Sequence, residues 1–337
     1  MPDTPSTSRT ADSVTAGSGT AGSSRLRPAL TIIGCLLAAV GLLGVVAHAV
    51  PFVSNTWARL AAGTPVLIVI GIVGLVVLLA SRAWMCAIVA AVVVAIGIGK
   101  QVPLFIGTDE SRAASDITVL QANIYLGQAD AASVVREIRD NRVDIATVVE
   151  LTDDAIGRLD AAGIGSALPY RFVVPRRGGG GAGIYSRFPL TDEFRIGKMA
   201  MANLRAVVDL PGVGRRAIYA LHPIPPWPEP AWRWAYEVDL LSSTLGEERL
   251  PLILGADFNS TYDHARFRRL LANPPGLVDA ADHLGAGIVA TYPANRHFPP
   301  VLALDRVMTR GGPVPTSFRR VELPGSDHDG VIATVTP

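Results

Sequence analysis

Three long apolar segments without charged side chains lie in the first 100 residues, and they limit what this chain can fold into. They are Ala29–Val50, with 22 residues, Leu60–Ala80, with 21, and Ala83–Gly99, with 17. Because an α-helix rises about 1.5 Å per residue, each segment is nearly or fully long enough to cross a hydrocarbon core of about 30 Å. Three successive core helices uncharged on every face are improbable in a soluble protein, so we predict three transmembrane helices.

The composition of the whole chain agrees with a membrane region joined to a globular domain. Hydrophobic residues make up 49%, charged residues only 18%, and the mean hydropathy is +0.35. In typical soluble domains, about a quarter of all residues are charged. A cleavable signal peptide fits less well than a first span, because two further apolar segments follow.

The charges that flank the apolar segments predict an orientation. Arg25 and Arg27 precede the first segment and Arg82 lies between the second and third, whereas Arg59 and Lys100 lie at the opposite ends. Basic residues are enriched on the cytoplasmic side of membrane proteins. Three arginines on the N-terminal side against two basic residues on the other side therefore favour a cytoplasmic N-terminus. An odd number of spans then places the C-terminal domain on the extracytoplasmic side of a cell membrane.

Amino-acid composition and hydropathy divide the chain into four parts. Residues 1–28 are rich in Ser, Thr, Ala and Gly and are predicted to be a disordered tail. Residues 29–100 are the predicted three-helix membrane region, residues 101–114 a linker, and residues 115–337 one globular domain. Arginine dominates the basic residues, as is typical of a GC-rich genome.

Charge and cysteine content exclude several classes of function. From residue 109 onward, 24 lysines and arginines stand against 27 acidic residues, a net charge of −3, which provides no basic face for gripping long nucleic acid. The two cysteines, Cys35 and Cys86, lie inside apolar segments. They exclude a disulfide scaffold and a cysteine-built zinc site.

Short apolar runs predict eight strands in the C-terminal part, with helical patterns between them. The strands are Ile117–Ala122, Val143–Val149, Gly183–Tyr185, Ala206–Leu210, Ala217–Leu221, Leu250–Leu254, Leu302–Met308 and Val331–Val335. The helices are Ala131–Arg139, Asp153–Ala162, Ala231–Leu245 and Asp263–Ala272. Strict βαβ alternation is missing, so an α+β or mixed sandwich is favoured over a Rossmann sheet.

Polar side chains follow or end several of these strands, where loops of a rigid scaffold converge. They are Asn123, Glu150, His222, Asp257, Asn259, Asp305, Asp327 and His328. Taken singly, each has an ordinary structural interpretation, such as a turn residue or a helix-capping charge. As a set, carboxylates and amides suit a hard cation such as Mg²⁺, and two histidines beside carboxylates suit proton transfer.

In this order the residues resemble the endonuclease/exonuclease/phosphatase superfamily. Gly255-Ala256-Asp257-Phe258-Asn259 is similar to that family's G-D-F-N motif, and Ser326-Asp327-His328 is similar to its terminal S-D-H motif. The resemblance covers about residues 115–337 and none of the membrane region, so the chain would be a membrane-anchored, actinobacterial-type member. It implies a four-layer αββα sandwich and metal-assisted hydrolysis of a phosphoester.

The resemblance also implies a role for each residue. Glu150 would be the principal Mg²⁺ ligand, with Asn123 and Asp327 on the metal side; Mn²⁺ is an alternative cation. His328 would be the catalytic histidine, oriented by Asp305. Asp257 and Asn259 would position the attacking water and the phosphate, and His222 would donate a hydrogen bond to a phosphate oxygen.

The first motif departs from the family pattern. The family often continues Asn-x-Asp/Asn-Gly, whereas here Asn123 is followed by Ile124-Tyr125-Leu126-Gly127. One secondary acidic position is therefore missing, which puts a second metal site in doubt. The glutamate motif is Val149-Glu150 rather than Gln-Glu, a milder change.

Three functions remain open at this stage. Membrane attachment and an external location favour a phosphodiesterase or phosphatase acting on a lipid headgroup or an envelope phosphoester, with the bilayer itself as a partner. The second is an extracytoplasmic nuclease on DNA or RNA. The third is a catalytically silent, membrane-tethered interaction module. No protein partner can be inferred.

Overall fold

The computed structural model describes residues 21–111, 113 and 115–337. Four helices come first: α1 (Ala21–Ala49), α2 (Asn55–Ala62), α3 (Thr64–Ala80) and α4 (Trp84–Gln101), the last continued by a 3₁₀ turn at Val102–Phe105. Most of the predicted tail, residues 1–20, lies outside the described residues. Residues 21–28 belong to α1, so this part of the predicted tail is helical.

The structure supports two of the predicted spans and divides the third. Leu26–Ala49 and Trp84–Phe105 are long and apolar enough to cross a membrane. The predicted segment Leu60–Ala80 is not one helix, because the chain bends by 65° between α2 and α3. Pro65 explains the break: it has no backbone N–H, and it is tolerated only in the first turn of the new helix.

Glycines set the packing of this helical region. A Cβ atom on Gly41 of α1 would lie 2.7 Å from the Cα atom of Gly71 in α3, and one on Gly74 would lie 2.6 Å from the backbone nitrogen of Ala38. Such close backbone approach through small residues is typical of helices packed in lipid. Large apolar side chains such as Ile33, Val69, Val76, Ile88 and Val92 are meanwhile exposed on the outside of the helices.

Twelve strands form two six-stranded sheets. The strands are β1 (Ile117–Asn123), β2 (Ile145–Val149), β3 (Tyr170–Val174), β4 (Ala182–Ser186), β5 (Leu190–Arg195), β6 (Leu204–Leu210), β7 (Gly214–Leu221), β8 (Leu252–Asp257), β9 (Val278–Asp279), β10 (Asp305–Arg310), β11 (Val314–Val321) and β12 (Gly330–Thr336). The first sheet has the order β11-β12-β1-β2-β4-β3 and the second the order β5-β6-β7-β8-β10-β9.

The sheets pack face to face with helices on their outer faces. The helices on the outer faces are α5 (Ala131–Asp140), α6 (Asp153–Ala161), α7 (Ile164–Ala167), α8 (Ala231–Glu247) and α9 (Ala265–Ala272). A further short helix, α10 (Ala280–His283), contributes Ala280 to the cluster between the sheets. A buried cluster that includes Val119, Ile184, Ile218 and Val307 lies between the sheets. Separate clusters join α5–α7 to the first sheet and α8–α9 to the second. This arrangement is the expected mixed α+β sandwich in four layers.

All eight strands expected from apolar runs are present, and the four that were missed are the edge strands β3, β5, β9 and β11. Five of the six residues of β5 are exposed, so this strand has no apolar run to reveal it. Two boundaries also shift towards the site. β8 continues to Asp257, and β10 begins at Asp305 rather than enclosing it.

A buried polar cluster joins the helical region to the C-terminal domain. Asp263, in the loop after β8, accepts hydrogen bonds from His48 Nδ1 at 2.8 Å and from Gln101 Nε2 at 2.7 Å. These two donors lie at the C-terminal ends of α1 and α4. In α2, Asn55 Nδ2 donates to the carbonyls of Pro226 at 3.1 Å and Glu229 at 2.6 Å. The C-terminal ends of α1 and α4 and the N-terminal end of α2 therefore contact the domain.

Candidate active site

Two parallel strand pairs bring the polar residues to one edge of the sandwich. β1 and β2 run parallel with Asn123 opposite Val149, so Asn123 and the following Glu150 emerge side by side. β7 and β8 also run parallel, which places His222 next to Asp257. β10 runs antiparallel to β8 with Asp305 opposite Asp257.

Asn123 connects the two sheets at this edge. Its Nδ2 atom donates to Glu150 Oε1 at 3.1 Å and to Asp257 Oδ2 at 3.0 Å. Its own Oδ1 accepts from the backbone N–H of Tyr125, which fixes the amide orientation. Ser326 reinforces the junction by donating to the Asn123 carbonyl and accepting from the His328 N–H.

Glu150 is held in a restrained position. Its backbone has φ +60°, an uncommon conformation for a residue with a side chain. Its Oε2 atom accepts from the backbone N–H of Leu126 at 2.7 Å. A Cβ atom on Gly179 would lie 2.9 Å from the same oxygen, so only glycine allows this loop to approach the carboxylate.

Asp327 lies beside Glu150 with an unsatisfied oxygen. Its Oδ1 atom is buried and has no hydrogen-bond partner among the described residues. Burial raises the pKa of the Asp327 carboxyl to about 6; the nearby His328 opposes this shift, and the charge of Glu150 adds to it. The two neighbouring carboxylates therefore repel each other, and one of their oxygens accepts no hydrogen bond from the described residues.

The residues on this side fit a divalent cation. A buried acceptor without a donor is rare in folded proteins and calls for an ion or water. Glu150, Asp327 and the amide of Asn123 provide only oxygen ligands, which Mg²⁺ prefers, and Mn²⁺ accepts the same set.

The histidine side is built around a short hydrogen bond. His328 Nδ1 and Asp305 Oδ2 lie 2.7 Å apart, and both side chains are buried. Thr291 Oγ1 accepts from the Asp305 backbone N–H, and the ring of Tyr292 packs 4.8 Å from that of His328. Asp305 thereby orients His328 and leaves its Nε2 directed at the cleft.

Asp257 lies between the two histidines. Its Oδ2 atom is 3.7 Å from His328 Nε2 and 3.6 Å from His222 Nε2, and its Oδ1 accepts from the backbone N–H of Asn259 at 2.8 Å. Asn259 Nδ2 donates to the Pro223 carbonyl, which ties its loop to the loop after β7. Asn203 holds His222 by bonding both its backbone N–H and its carbonyl.

These contacts set the charges of the histidine side. Burial by itself lowers the pKa of His328, but Asp305 and Asp257 outweigh it and raise the pKa to about 10. Burial favours the neutral form of Asp257, whereas His328 and His222 lower the pKa of its carboxyl below the ordinary value. His328 is therefore held as a cation beside an anionic Asp257.

Asp257, Asp305 and His328 also offer ligand atoms within 4.8 Å of one another. A metal in that position would need a neutral His328 with one ring nitrogen free to bind it. Because Asp305 and Asp257 hold the ring protonated, this trio is better suited to proton transfer than to metal binding.

The cleft at this edge encloses about 960 Å³, including space open to solvent. Glu150, His222, Asp257, Asn259, Asp327 and His328 line it. Ala58, Arg59 and Ala62 of α2 also line it, together with Trp227 and Tyr292. The helical region thus contributes directly to the cleft.

A family model described as the endonuclease/exonuclease/phosphatase family matches residues 120–328. The chain belongs to this family. Members of the family are phosphoester hydrolases that typically depend on a divalent metal, which supports a hydrolase and agrees with the oxygen-rich cluster described above.

Several solved structures have a fold similar to that of this chain. Humanized D. rerio TDP2 carrying 14 mutations has a TM-score of 0.55 at 17% identity, covering 66% of this chain and 100% of that one. D. rerio TDP2 complexed with a single-strand DNA product has the same TM-score and coverage at 18% identity. An endonuclease/exonuclease/phosphatase from Bacteroides vulgatus has a TM-score of 0.53 at 16% identity, covering 65% and 98%. None of the curated proteins matches this chain.

The structure brings all eight residues expected from the sequence to this edge of the sandwich. It also shows two contributors that the sequence motifs did not indicate: Asn203, which holds His222, and the cleft residue Arg59. Asn203 precedes β6 without an apolar signal of its own. Arg59 is separated from the catalytic motifs by more than 60 residues of sequence, so only the packed structure reveals it.

Proposed function

We propose that this protein is a membrane-anchored, Mg²⁺-dependent hydrolase that cleaves the phosphoester of a lipid headgroup or another envelope component. The observation that carries the proposal is the pairing of an oxygen-only cluster, with the orphan Asp327 oxygen, and a buried Asp305–His328 pair across one cleft. Hydrolysis of a phosphoester needs both charge neutralisation and proton transfer, and the two sides supply these separately.

On this proposal, Glu150, Asp327 and Asn123 would hold the cation, which when bound would neutralise the phosphate and polarise the phosphorus–oxygen bonds. The carboxylate of Asp257 accepts a proton from the attacking water, while Asn259 holds the loop that carries it. The water oxygen bonds to phosphorus as the ester P–O bond breaks, and the proton that Asp257 takes from the water is returned to the leaving alkoxide.

His328 and His222 stabilise the phosphate as charge builds on its oxygens. Both present Nε2 towards Asp257 Oδ2, at 3.7 Å and 3.6 Å. A cationic His328 donates a charge-assisted hydrogen bond to a phosphate oxygen, and Asp305 keeps the ring in the donating orientation. The buried pair requires no rearrangement at the moment of reaction.

We also propose that the chain crosses the membrane three times and that the domain lies outside. The 17 residues of α3 span about 26 Å, near the thickness of a hydrocarbon core. The C-terminal ends of α1 and α4 both contact the domain, so these helices run in the same direction and α3 returns between them.

A generic phosphodiester tests the enzymatic proposal. The full chain in nanodiscs should hydrolyse bis-p-nitrophenyl phosphate with Mg²⁺ and lose this activity in EDTA. Phospholipid vesicles and plasmid DNA, offered in parallel, separate a lipid hydrolase from a nuclease. Absence of hydrolysis of every substrate would instead favour a silent interaction module.

Sidedness has its own test. Ser243 is exposed on α8 and the domain has no cysteine, so Ser243→Cys provides one reactive thiol outside the apolar helices. A membrane-impermeant maleimide should label this variant on intact cells, with the wild type as a control for Cys35 and Cys86. Labelling only after lysis would place the domain in the cytoplasm.

A further inference from the structure

The cleft contains one cationic side chain that the proposed chemistry does not use. Arg59 is the single lysine or arginine lining the cleft among the described residues. It comes from α2, outside the catalytic fold, and its side chain is exposed. Within the described part of the chain, no carboxylate lies within 4.0 Å of its guanidinium nitrogens, so its charge is available to a ligand.

An aromatic ring of the catalytic domain positions this guanidinium. The Arg59 Cζ atom lies 4.5 Å from the centroid of the Trp227 ring, a cation–π contact. Arg59 Nε donates to the Asn55 carbonyl at 3.4 Å. The two terminal Nη groups have no hydrogen-bond partner among the described residues, and such groups bind phosphate oxygens. Trp227 is itself 53% exposed and presents apolar surface beside the charge.

The side chain of Asn55 fixes the position of α2 on the cleft, because its nitrogen donates and its oxygen accepts hydrogen bonds. Asn55 Nδ2 binds the Pro226 and Glu229 carbonyls, and Asn55 Oδ1 accepts from the Ala231 N–H at 3.3 Å. These bonds hold the segment that carries Trp227 against the helix that carries Arg59. The pair is thus a built feature of the junction rather than a chance surface contact.

The junction also lies where the apolar helices end. His48 and Gln101, near the C-terminal ends of α1 and α4, both bind Asp263 in the loop after β8. Exposed aromatic side chains surround the junction, with Phe52 at 63% and Trp232 at 65% exposure. Such residues favour the interface between lipid and water. The Arg59 side of the cleft therefore faces the bilayer surface.

From these observations we propose that Arg59 and Trp227 form a headgroup-binding subsite for an anionic phosphoester lipid that stays in the bilayer. Arg59 binds the anionic headgroup, and Trp227 contacts the apolar carbon atoms next to it. The subsite rests on the proposed hydrolase function and names its substrate class, an anionic amphiphile presented from the membrane.

Kinetics of the full chain test the subsite, with bis-p-nitrophenyl phosphate as the reporter substrate. Nanodiscs contain phosphatidylcholine with or without 20% phosphatidylglycerol, in the presence of Mg²⁺. Arg59→Ala is compared with Arg59→Lys and with Lys100→Ala, a control that removes a positive charge at the same end of the bundle but outside the cleft.

If the subsite exists, Arg59→Ala raises KM for the reporter at least fivefold with little change in kcat, and Arg59→Lys recovers part of the loss. Phosphatidylglycerol raises the apparent KM of the wild type and of Lys100→Ala at least threefold, and this increase disappears in Arg59→Ala. Soluble glycerophosphoglycerol at the same bulk concentration has a smaller effect.

Each contrary result has a distinct meaning. An active enzyme with unchanged KM in Arg59→Ala overturns the subsite and leaves the hydrolase proposal intact. Equal competition by glycerophosphoglycerol and phosphatidylglycerol shows a soluble ligand and contradicts a lipid one. A phosphatidylglycerol effect that survives in Arg59→Ala reflects surface charge alone. No reporter hydrolysis by the wild type overturns both proposals.

Discussion

The two sides of the cleft differ in how their charges are balanced. On the histidine side, Asp305 and His328 form a buried pair of opposite charge with a 2.7 Å hydrogen bond. On the metal side, Glu150 and Asp327 are two neighbouring carboxylates, and one Asp327 oxygen has no partner among the described residues. The first side is electrically balanced as folded, whereas the second fits a cation. On the proposed function, the same edge of one sandwich supplies a proton-transfer group and a binding site for a metal.

The largest loss of activity is expected from substitutions on the histidine side of the cleft. His328→Ala should lower kcat/KM by about 10³-fold, because it removes both a donor to the phosphate and its charge. Asp305→Ala should be similarly severe. If the two residues act as a unit, the double variant will be little worse than His328→Ala in the same assay. Additive losses in the logarithm of the rate would show two independent roles.

Stability should change in opposite directions on the two sides. Asp305→Asn leaves the buried His328 without its counterion and should destabilise the metal-free protein by about 3 kcal/mol. Asp327→Asn removes a repelling carboxylate that is partly exposed, and should stabilise it by about 1 kcal/mol after solvent screening. Chemical denaturation in EDTA measures both. Destabilisation by Asp327→Asn would show that Asp327 is not in an unbalanced acidic pair.

A second buried histidine beside the cleft shows the opposite balance, because burial there outweighs the nearby carboxylate of Asp263. Burial lowers the pKa of His264 to about 4. Since its unfolded pKa is higher, at 6.5, the unfolded chain binds the proton first as the pH falls. The stability contributed by neutral His264 is complete above pH 6.5 and lost towards pH 4, with about 2 kcal/mol lost between pH 7 and 5.

Urea denaturation at pH 7 and pH 5 measures this loss. His264→Asn is the matched variant, because an Asn oxygen can replace Nδ1 as the acceptor for the Thr261 N–H. This variant should lose the His264 part of the pH dependence. An equal acid sensitivity in wild type and variant would assign the loss to other groups.

Much of the fold and site follows from the sequence for a physical reason. Strands covered on both faces need continuous apolar runs, so all central strands of both sheets were predictable. The site residues follow those strands, and strand ends are fixed by the same runs. Asn123 and Glu150 are adjacent in space because β1 and β2 are adjacent and parallel.

What the sequence did not reveal depends on exposure or on distant contacts. Edge strands such as β5 are solvated and carry no apolar signature. The break between α2 and α3 lies within an uncharged apolar segment that includes Gly63 and Pro65, so a hydropathy reading joined them. The role of Arg59 depends on Asn55 docking α2 against residues far away in the sequence.

The dependence of activity on Mg²⁺ in Glu150→Gln tests the central claim most directly. This substitution keeps the shape of the side chain and removes one negative charge from the metal side. Wild-type hydrolysis of bis-p-nitrophenyl phosphate should vanish in EDTA and return with Mg²⁺. Glu150→Gln should be much slower and require about 10-fold to 100-fold more Mg²⁺ for half-maximal activity. Full wild-type activity in EDTA, or an identical Mg²⁺ titration in the variant, would contradict the account.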